Sequence, residues 1–510
     1  MRITNRIMTN NSLTNINRVK GSQDQLNTMM ATGKKITKPS DDPVVAIRAL
    51  RLRTESTKID QYYDRNTEDA EAWMKVTDSS LHTVSEVLMD MLEQVGKGSA
   101  DTMATSERQT IATYIKSLAD EIYDSGDADY AGRFIFSGYR TDVPLSFQED
   151  TTLKYSITEQ LDKSALQTID HVYTDDILKY TTESYATLNA EEQDIETEQV
   201  HRIQLAYGNV DPTEGLKLTY YDPATGAQNT VNVPSVSLST VSDPYHNLAA
   251  GDICYIPETG ELLLGEDYYS KLMDTRDDPM TTGVDEGEFR VDYVKREWTT
   301  GDLRPEHYFA CSSEDADGKV INYNPEYLTG GGRQVIEYAT GTGQSIQINT
   351  FADECFNHDI GRLAEDLMSA TETLASLDAI VNSLDKMIEE GNLGAGDRRI
   401  AEDKLAAAKK AQTLQRDKVQ QMFDAAKTTV QGFIDRTSLA STNCGSRESR
   451  LALIQNRLSD QQLTMDNLVS ENEDCDETEV AIELAGAKLA YEAALMATSK
   501  ISQTTLLNYI

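Results

Sequence analysis

Leu363, Leu367, Ala370, Leu374, Leu377, Val381, Leu384 and Ile388 follow one another at alternating steps of four and three. A helix brings the same face round every 3.6 residues, so this unbroken line makes one apolar stripe that needs a facing helix. Met74, Leu81, Leu88 and Val95, with Thr77, Val84 and Met91 between them, repeat with the same period and are the expected partner. Gly96 and Gly98 end that helix, and Ile111, Ile115, Leu118 and Ile122 carry the spacing into another. The two lines are far apart in the chain. Helices from both ends must therefore meet in one rod.

The extremities carry weaker lines. Residues 480–510 contain no proline and only Gly486 as an interior glycine, so about 31 residues can run as one helix of roughly 45 Å. Leu484, Tyr491 and Thr498 repeat every seven residues with Ala487, Ala494 and Ile501 between them, and Leu489, Met496, Gln503 and Ile510 form a second line. Two adjoining lines call for neighbours on more than one side. At the other end Ile16, Val19, Leu26 and Met30 stand at coiled-coil positions, interrupted by Gln23. Residues 1–65 hold twelve Lys or Arg against six Asp or Glu, a basic face that either pairs with an acidic surface or is simply solvated.

Turns punctuate these helices. In TGKKITKPSDDP, residues 32–43, Gly33 can stop one helix while Ser40 or Asp41 caps the next and Pro43 fills its first turn. GNLGAG at 391–396 is another turn. Residues 397–439 then read as one helix, with Val419, Met422, Ala426, Val430 and Phe433 on its face. After Asn443-Cys444-Gly445 the spacing resumes through Leu451, Ile454, Leu458, Met465 and Leu468. SENEDCDETE at 470–479 lacks the spaced ligands and the glycine of an EF-hand loop, so it reads as a solvated hinge with an acidic helix start.

Between the helical ends the period falls to two. AGRFIFSG at 131–138 suits an extended segment leaving the rod, and strand-like runs follow at 216–221, 230–233, 253–256, 289–298, 335–338 and 345–349. Asp222-Pro223, Thr225-Gly226, Gly260 and Gly341-Thr342-Gly343 mark turns between them. Tyr220, Tyr221, Tyr268, Tyr269 and Tyr293 fit a sheet face better than a sugar site. The fold class is α+β: a coiled-coil rod from both chain ends with an inserted β-rich outer domain. Its expected parts are terminal helices at 1–43 and 478–510, a rod at 44–143 and 351–477, and the insertion at 144–350, in one or two subdomains.

Charge and composition narrow the function. A net charge of -38 argues against nucleic-acid phosphates or anionic lipid as main partners. Cys254, Cys311, Cys355, Cys444 and Cys475 are widely spaced and odd in number, which disfavours a disulfide framework or a zinc site. No apolar run is long enough to insert in a membrane, and the start lacks the apolar core of a secretory signal. The six histidines form no H-E-x-x-H, and neither G-x-S-x-G nor a P-loop occurs. Glu306-His307 fits surface structure better than catalysis. No enzyme, cofactor or metal is expected.

Both ends carry a resemblance. MRITNRIMTNN and TGKKITKPSDDPVVAIRALRLR, residues 32–53, are similar to the opening of the hook-filament junction proteins of the bacterial flagellin superfamily. AGRFIFSG resembles the point where flagellin-like chains leave their first rod helices. GSRESRLALIQNRL from Gly445, SENEDCDETEVA from Ser470 and the closing KISQTTLLNYI resemble the family's return helices, as RQVIEYATGTGQSIQI at 333–348 resembles part of the insertion. The rest of the insertion departs in length from shorter members. The resemblance implies terminal helices paired near an axial channel, a second helical layer and an outward β-rich domain. Ile3, Ile7, Ile16, Val19 and Leu26 would lie with Leu484, Tyr491, Leu495, Ile501 and Leu506 in the innermost layer, mobile alone and buried against neighbouring subunits. It also implies hook-associated protein 1, flagellin, copies of the chain in a ring and a cytoplasmic export chaperone as partners. The location would be the extracellular flagellum, reached by type III export without a cleaved signal. The alternatives are flagellin itself and an exported enzyme with its site in 144–350.

Overall fold

In the computed structural model the described residues are 5–174, 176–179, 191–222, 227–241, 243–275, 289–315, 318–328, 333–390 and 394–507, with side chains from 7 to 500. Helices α1 (Asn5–Thr32) and α2 (Pro43–Asp60) come first, and a π-helical segment, Gln61–Thr67, leads into α3 (Glu68–Gly98) and α4 (Thr105–Gly126). The hairpin β1 (Asp129–Tyr130) and β2 (Arg133–Phe134) precedes β3 (Thr151–Leu161), β4 (Leu166–Tyr173), β5 (Glu196–Gln204), β6 (Leu216–Asp222) and β7 (Ala227–Val233). Then come β8 (Ile253–Ile256), β9 (Glu261–Leu264), α5 (Glu266–Asp274), β10 (Phe289–Trp298), β11 (Ala310–Glu314) and β12 (Val320–Tyr323). A hairpin, β13 (Glu337–Gly341) and β14 (Gln344–Gln347), is followed by α6 (Ala352–Cys355), α7 (His358–Glu390), α8 (Ala395–Glu473) and α9 (Glu477–Leu507). The chain forms two compact units, one of residues 1–70, 338–346 and 449–510, the other of 71–337 and 347–448.

The larger unit holds the strong apolar lines. Met74, Thr77, Leu81, Val84, Leu88, Met91 and Val95 of α3 are all fully buried. Their neighbours include α4 and α8. Tyr114 Oη donates to Asp90 at 2.8 Å and Ser80 Oγ to Ser125 O at 2.7 Å, which sets α4 antiparallel to α3. Ser441 Oγ bonds Asp78 at 3.3 Å and Cys444 Sγ lies 3.7 Å from Met74 O, which sets α8 antiparallel on another side. A Cβ at Gly98 would fall 2.5 Å from the Phe423 ring, so only glycine lets the two helices close there.

Helix α7 has its own ties. Tyr123 Oη of α4 accepts from Gly361 N at 2.8 Å and donates to Asn357 O at 2.9 Å. Gln412 and Gln415 of α8 donate to Asp378 at 2.6 Å and to Ala370 O at 2.9 Å. These contacts place α7 against α4 and α8. The outer half of α7 packs Leu377, Val381 and Leu384 on Ala401, Ala407, Ala408 and Ala411, with Ile177 and Ile195 from the insertion closing the cluster. Small alanines let the two backbones come near, so a narrow stripe suffices.

The break expected at Asn443-Cys444-Gly445 is absent, because α8 runs unbroken for 79 residues. One interior glycine costs a helix only about 1 kcal/mol, and the burial of Cys444 beside α3 offsets that.

Among the described residues the insertion holds two large antiparallel sheets beside the β13–β14 hairpin. One has the order β12-β11-β3-β10-β6-β7 and the other β4-β5-β9-β8. A single hydrophobic cluster draws on both, with Tyr155, Ile157, Val291 and Tyr293 from the first and Ile203, Leu262 and Leu264 from the second. At its centre Trp298 stacks on Phe147 at 4.9 Å and meets Tyr155 edge-on at 5.1 Å. A smaller cluster, Val200, Cys254, Ile256 and Leu263, lies on the other face of the four-stranded sheet.

In the smaller unit α1 packs along α9. Asp42 caps α2, its Oδ1 accepting from Val44 N at 2.9 Å and Val45 N at 3.2 Å, in place of the expected Ser40 or Asp41. Asp41 instead binds back to Lys38 N at 3.0 Å inside the turn. Gln344 of the hairpin accepts from Arg457 at 2.8 Å.

Candidate assembly surface

The terminal helices meet through lines stepping by four and three. On α1 the inward positions are Ser12, Ile16, Val19, Gln23, Leu26 and Met29, and on α9 they are Val480, Leu484, Ala487, Tyr491, Ala494 and Thr498. Leu26 and Val480 are buried and the rest half-buried. Met29 therefore takes the place expected of Met30, which is exposed. Gln23 stays in the line, where its polar end weakens the seam without breaking it.

Among the described residues the second α9 line has no cover. Ile482, Leu489 and Met496 are 69%, 70% and 68% exposed, seven residues apart on one face. Leu495 beside them is 43% exposed, and Ile7 on α1 is 51% exposed. Of the residues expected in the innermost layer, Ile16, Val19, Leu26, Leu484 and Tyr491 come together, whereas Ile7 and Leu495 face outward. Ile3 and the side chains of Ile501 and Leu506 lie outside the described residues. Val44, Ile47 and Leu50 of α2 add exposed apolar groups that the sequence reading did not single out. Three apolar side chains among arginines on a short helix gave a signal in principle: a stripe with no polar face opposite.

An elbow joins the two helices. Lys35 N donates to Glu473 O at 2.7 Å and Cys475 N to Gly33 O at 2.9 Å, so the turn after α1 is paired with the turn before α9. Gly33 has φ +70°, which frees it to leave the helix in the left-handed region. Glu473 is buried, with its carboxylate forked by the Arg53 guanidinium and Lys34 Nζ 3.5 Å away. The hydrogen bond from Arg53 holds the Glu473 carboxyl below the usual range, against the effect of burial. The 470–479 stretch is thus pinned at Glu473 and not simply solvated. Asp476 caps α9 through Thr478 N at 2.8 Å.

The catalytic candidate belongs to the interior. Glu306 is buried beside Arg140 and Arg304, and His307 Nε2 lies 3.1 Å from Pro144 O. Burial pushes the His307 imidazole below its ordinary pKa. The surface position expected for this pair is corrected for Glu306, which is buried, while His307 is half-buried. Among the described residues no group of three or more His, Cys, Asp or Glu is placed to hold a metal ion, and no helix is long and apolar enough to cross a membrane.

With this geometry in hand, relatives give it a context. Residues 3–141, the stretch of α1 to α4 and the first hairpin, match the bacterial flagellin N-terminal helical region. The chain is 27% identical over 176 residues to flagellar hook-associated protein 3 of Salmonella typhimurium, and 29% identical over 177 residues to that of Escherichia coli. Each match covers 34% of this chain and 55% of the relative, so the chain spans about half the length of the curated relatives it matches. A solved flagellar hook-associated protein 3 from Legionella pneumophila aligns over 82% of this chain and 97% of its own at 9% identity, with a TM-score of 0.29, too low to bear on the fold. Residues 3–141 thus match the bacterial flagellin N-terminal helical region, and about a third of the chain is similar to flagellar hook-associated protein 3.

Proposed function

We propose that this chain is a structural part of the bacterial flagellum that links the hook side to the flagellin filament. The observation that carries this reading is the uncovered line Ile482, Leu489 and Met496, beside a line that α1 already covers. A helix with one face satisfied in its own chain and the other bare is suited to a neighbour. That neighbour is a sister copy in a ring, with hook-associated protein 1 on one side and flagellin on the other. Nothing in this role calls for catalysis.

The test replaces Leu489 and Met496 together by Glu. Burying two unpaired carboxylates costs several kcal/mol, so co-assembly with hook and filament components should fall by about 100-fold or more. Far-ultraviolet circular dichroism of the free chain should not change, since both side chains are already in water. Unchanged co-assembly would sink the reading. Immunogold labelling in a band at the filament base supports a junction, whereas label along the whole filament would make the chain a filament subunit.

Export without a cleaved signal belongs to the same reading, with information in the N-terminal segment. A cytoplasmic chaperone would cover the bare α9 face until secretion. Deleting residues 480–510 should abolish binding of that chaperone in a titration with the purified pair, and an unchanged affinity would refute its placement.

A further inference from the structure

Three of the six histidines lie around the four-stranded sheet, each stacked on a tyrosine and facing a carboxylate. Two of them hold one segment. His171 on β4 places Nε2 2.8 Å from Asp243 and stacks on Tyr245 with centroids 4.7 Å apart. His246 stacks on Tyr173 at 3.6 Å, and its Nδ1 lies 2.7 Å from Glu198 on β5, an ion-pair distance off the line of a hydrogen bond. His171 and Glu198 are opposite each other in the β4–β5 register, so the two pairs are adjacent. Tyr245 Oη also bonds Glu261, and Tyr245 and Leu248 pack over Val200, Cys254, Ile256 and Leu263. Residues 243–248 thus lie across the sheet as a strap.

The strap also borders a cleft of about 740 Å³ between the four-stranded sheet and helices α7 and α8. His171, Asp243 and Tyr245 line its edge, and Asp366, Gln415 and Lys418 lie among the helical residues opposite. We infer that residues 243–248 form a pH-dependent strap over this cleft, fastened when His171 and His246 are protonated and slackened when they are neutral. Imidazole changes charge between about pH 5 and 8, and no other side chain does so unperturbed. In acid the two cations sit beside Asp243 and Glu198, while at alkaline pH the facing rings are neutral and Asp243 keeps the Tyr245 N–H at 3.1 Å. Asp243 itself, despite burial that would raise its pKa, is held below the ordinary value by the His171 hydrogen bond and charge. The other charges facing the strap include Arg202 and Glu261 on the sheet and Asp366 and Lys418 on the helices, and burial lowers the Lys418 ammonium from its ordinary value. His201, paired with Glu266 at 3.1 Å and stacked on Tyr269, lies off the strap and serves as a control.

Cys254 beneath the strap reports on it. The full chain and its His171→Gln/His246→Gln variant are treated with methyl methanethiosulfonate at pH 6 and pH 8, and modification of the Cys254 peptide is followed by mass spectrometry. Burial pushes this thiol up to about 11, so only the ratio of the two proteins at each pH is compared. The variant should label about tenfold faster than wild type at pH 6 and about equally at pH 8, the size two partly shielded ion pairs give. His201→Gln should behave as wild type. A ratio that is the same at both pH values overturns the inference. Should the double variant not fold, amide exchange of residues 243–248 in the wild type, corrected for intrinsic rates, decides: slower exchange at pH 6 than at pH 8 supports the strap, and equal rates overturn it.

Discussion

Replacing Glu159 by Gln should stabilise the larger unit by about 3 kcal/mol at pH 8 and by little at pH 4. Glu159 is a buried carboxyl on β3 that accepts from Ala206 N at 2.9 Å and from Tyr293 Oη. Arg362 is the cation nearby, yet its guanidinium is turned to Leu205 O at 2.9 Å, Thr259 O at 2.7 Å and Glu365 at 2.9 Å. Burial pushes Glu159 from 4.5 up to about 7, outweighing those two hydrogen bonds. Its folded pKa lies above its unfolded one, so the folded chain binds the proton more tightly. That contribution is complete below about pH 4.5 and lost as pH rises through about 7. A gap of that size corresponds to about 3 kcal/mol.

Glutamine keeps the acceptor oxygen and never ionises. Urea unfolding followed by the fluorescence of Trp73 and Trp298, both in this unit, measures the difference between the two proteins at each pH. The comparison cancels His358, where burial drives the imidazole down to about 3 and stability falls in acid for the opposite reason. A stability difference that does not change with pH would refute the assignment.

Arg202→Ala should destabilise the same unit by about 3–5 kcal/mol. Its guanidinium contacts Glu261 and Asp366 and donates through Nε to Gln167 at 3.0 Å, and both Arg202 and Glu261 are buried. Removing the cation strands a buried carboxylate. Removing Glu261 and Asp366 as well, as Gln and Asn, should recover most of the loss, because the penalty lies in the unpaired charges. The same urea titration reads both variants. A loss below about 1 kcal/mol for Arg202→Ala would show that water enters the network freely.

What the sequence made legible follows from how regular each buried face is. The α3 and α7 lines were readable because their positions are apolar or small, as were β8 and β10, both exact in their bounds, β10 even with the buried Lys295 in its inward run. A period tells which face is buried but not which helix covers it, so the neighbours of α3 and α7 waited for the structure. β3 escaped because its inward run is Tyr155, Ile157 and Glu159, and a buried carboxylate breaks the alternation. β5 hides the same way, with Arg202 inside. On α9 the two adjoining apolar lines could not be told apart by spacing, so which of them α1 covers, and that Leu495 is left exposed in the single chain, waited for the structure. The strap was beyond reach: His171 and Asp243 are 72 residues apart, and no local pattern links them.

The pairing of Gly33 and Lys35 with Glu473 and Cys475 has a mechanical meaning. The first and last helices of this chain hang from one buckle, so tension on either tail loads the same few bonds, and neither tail can be let out while the other stays fastened.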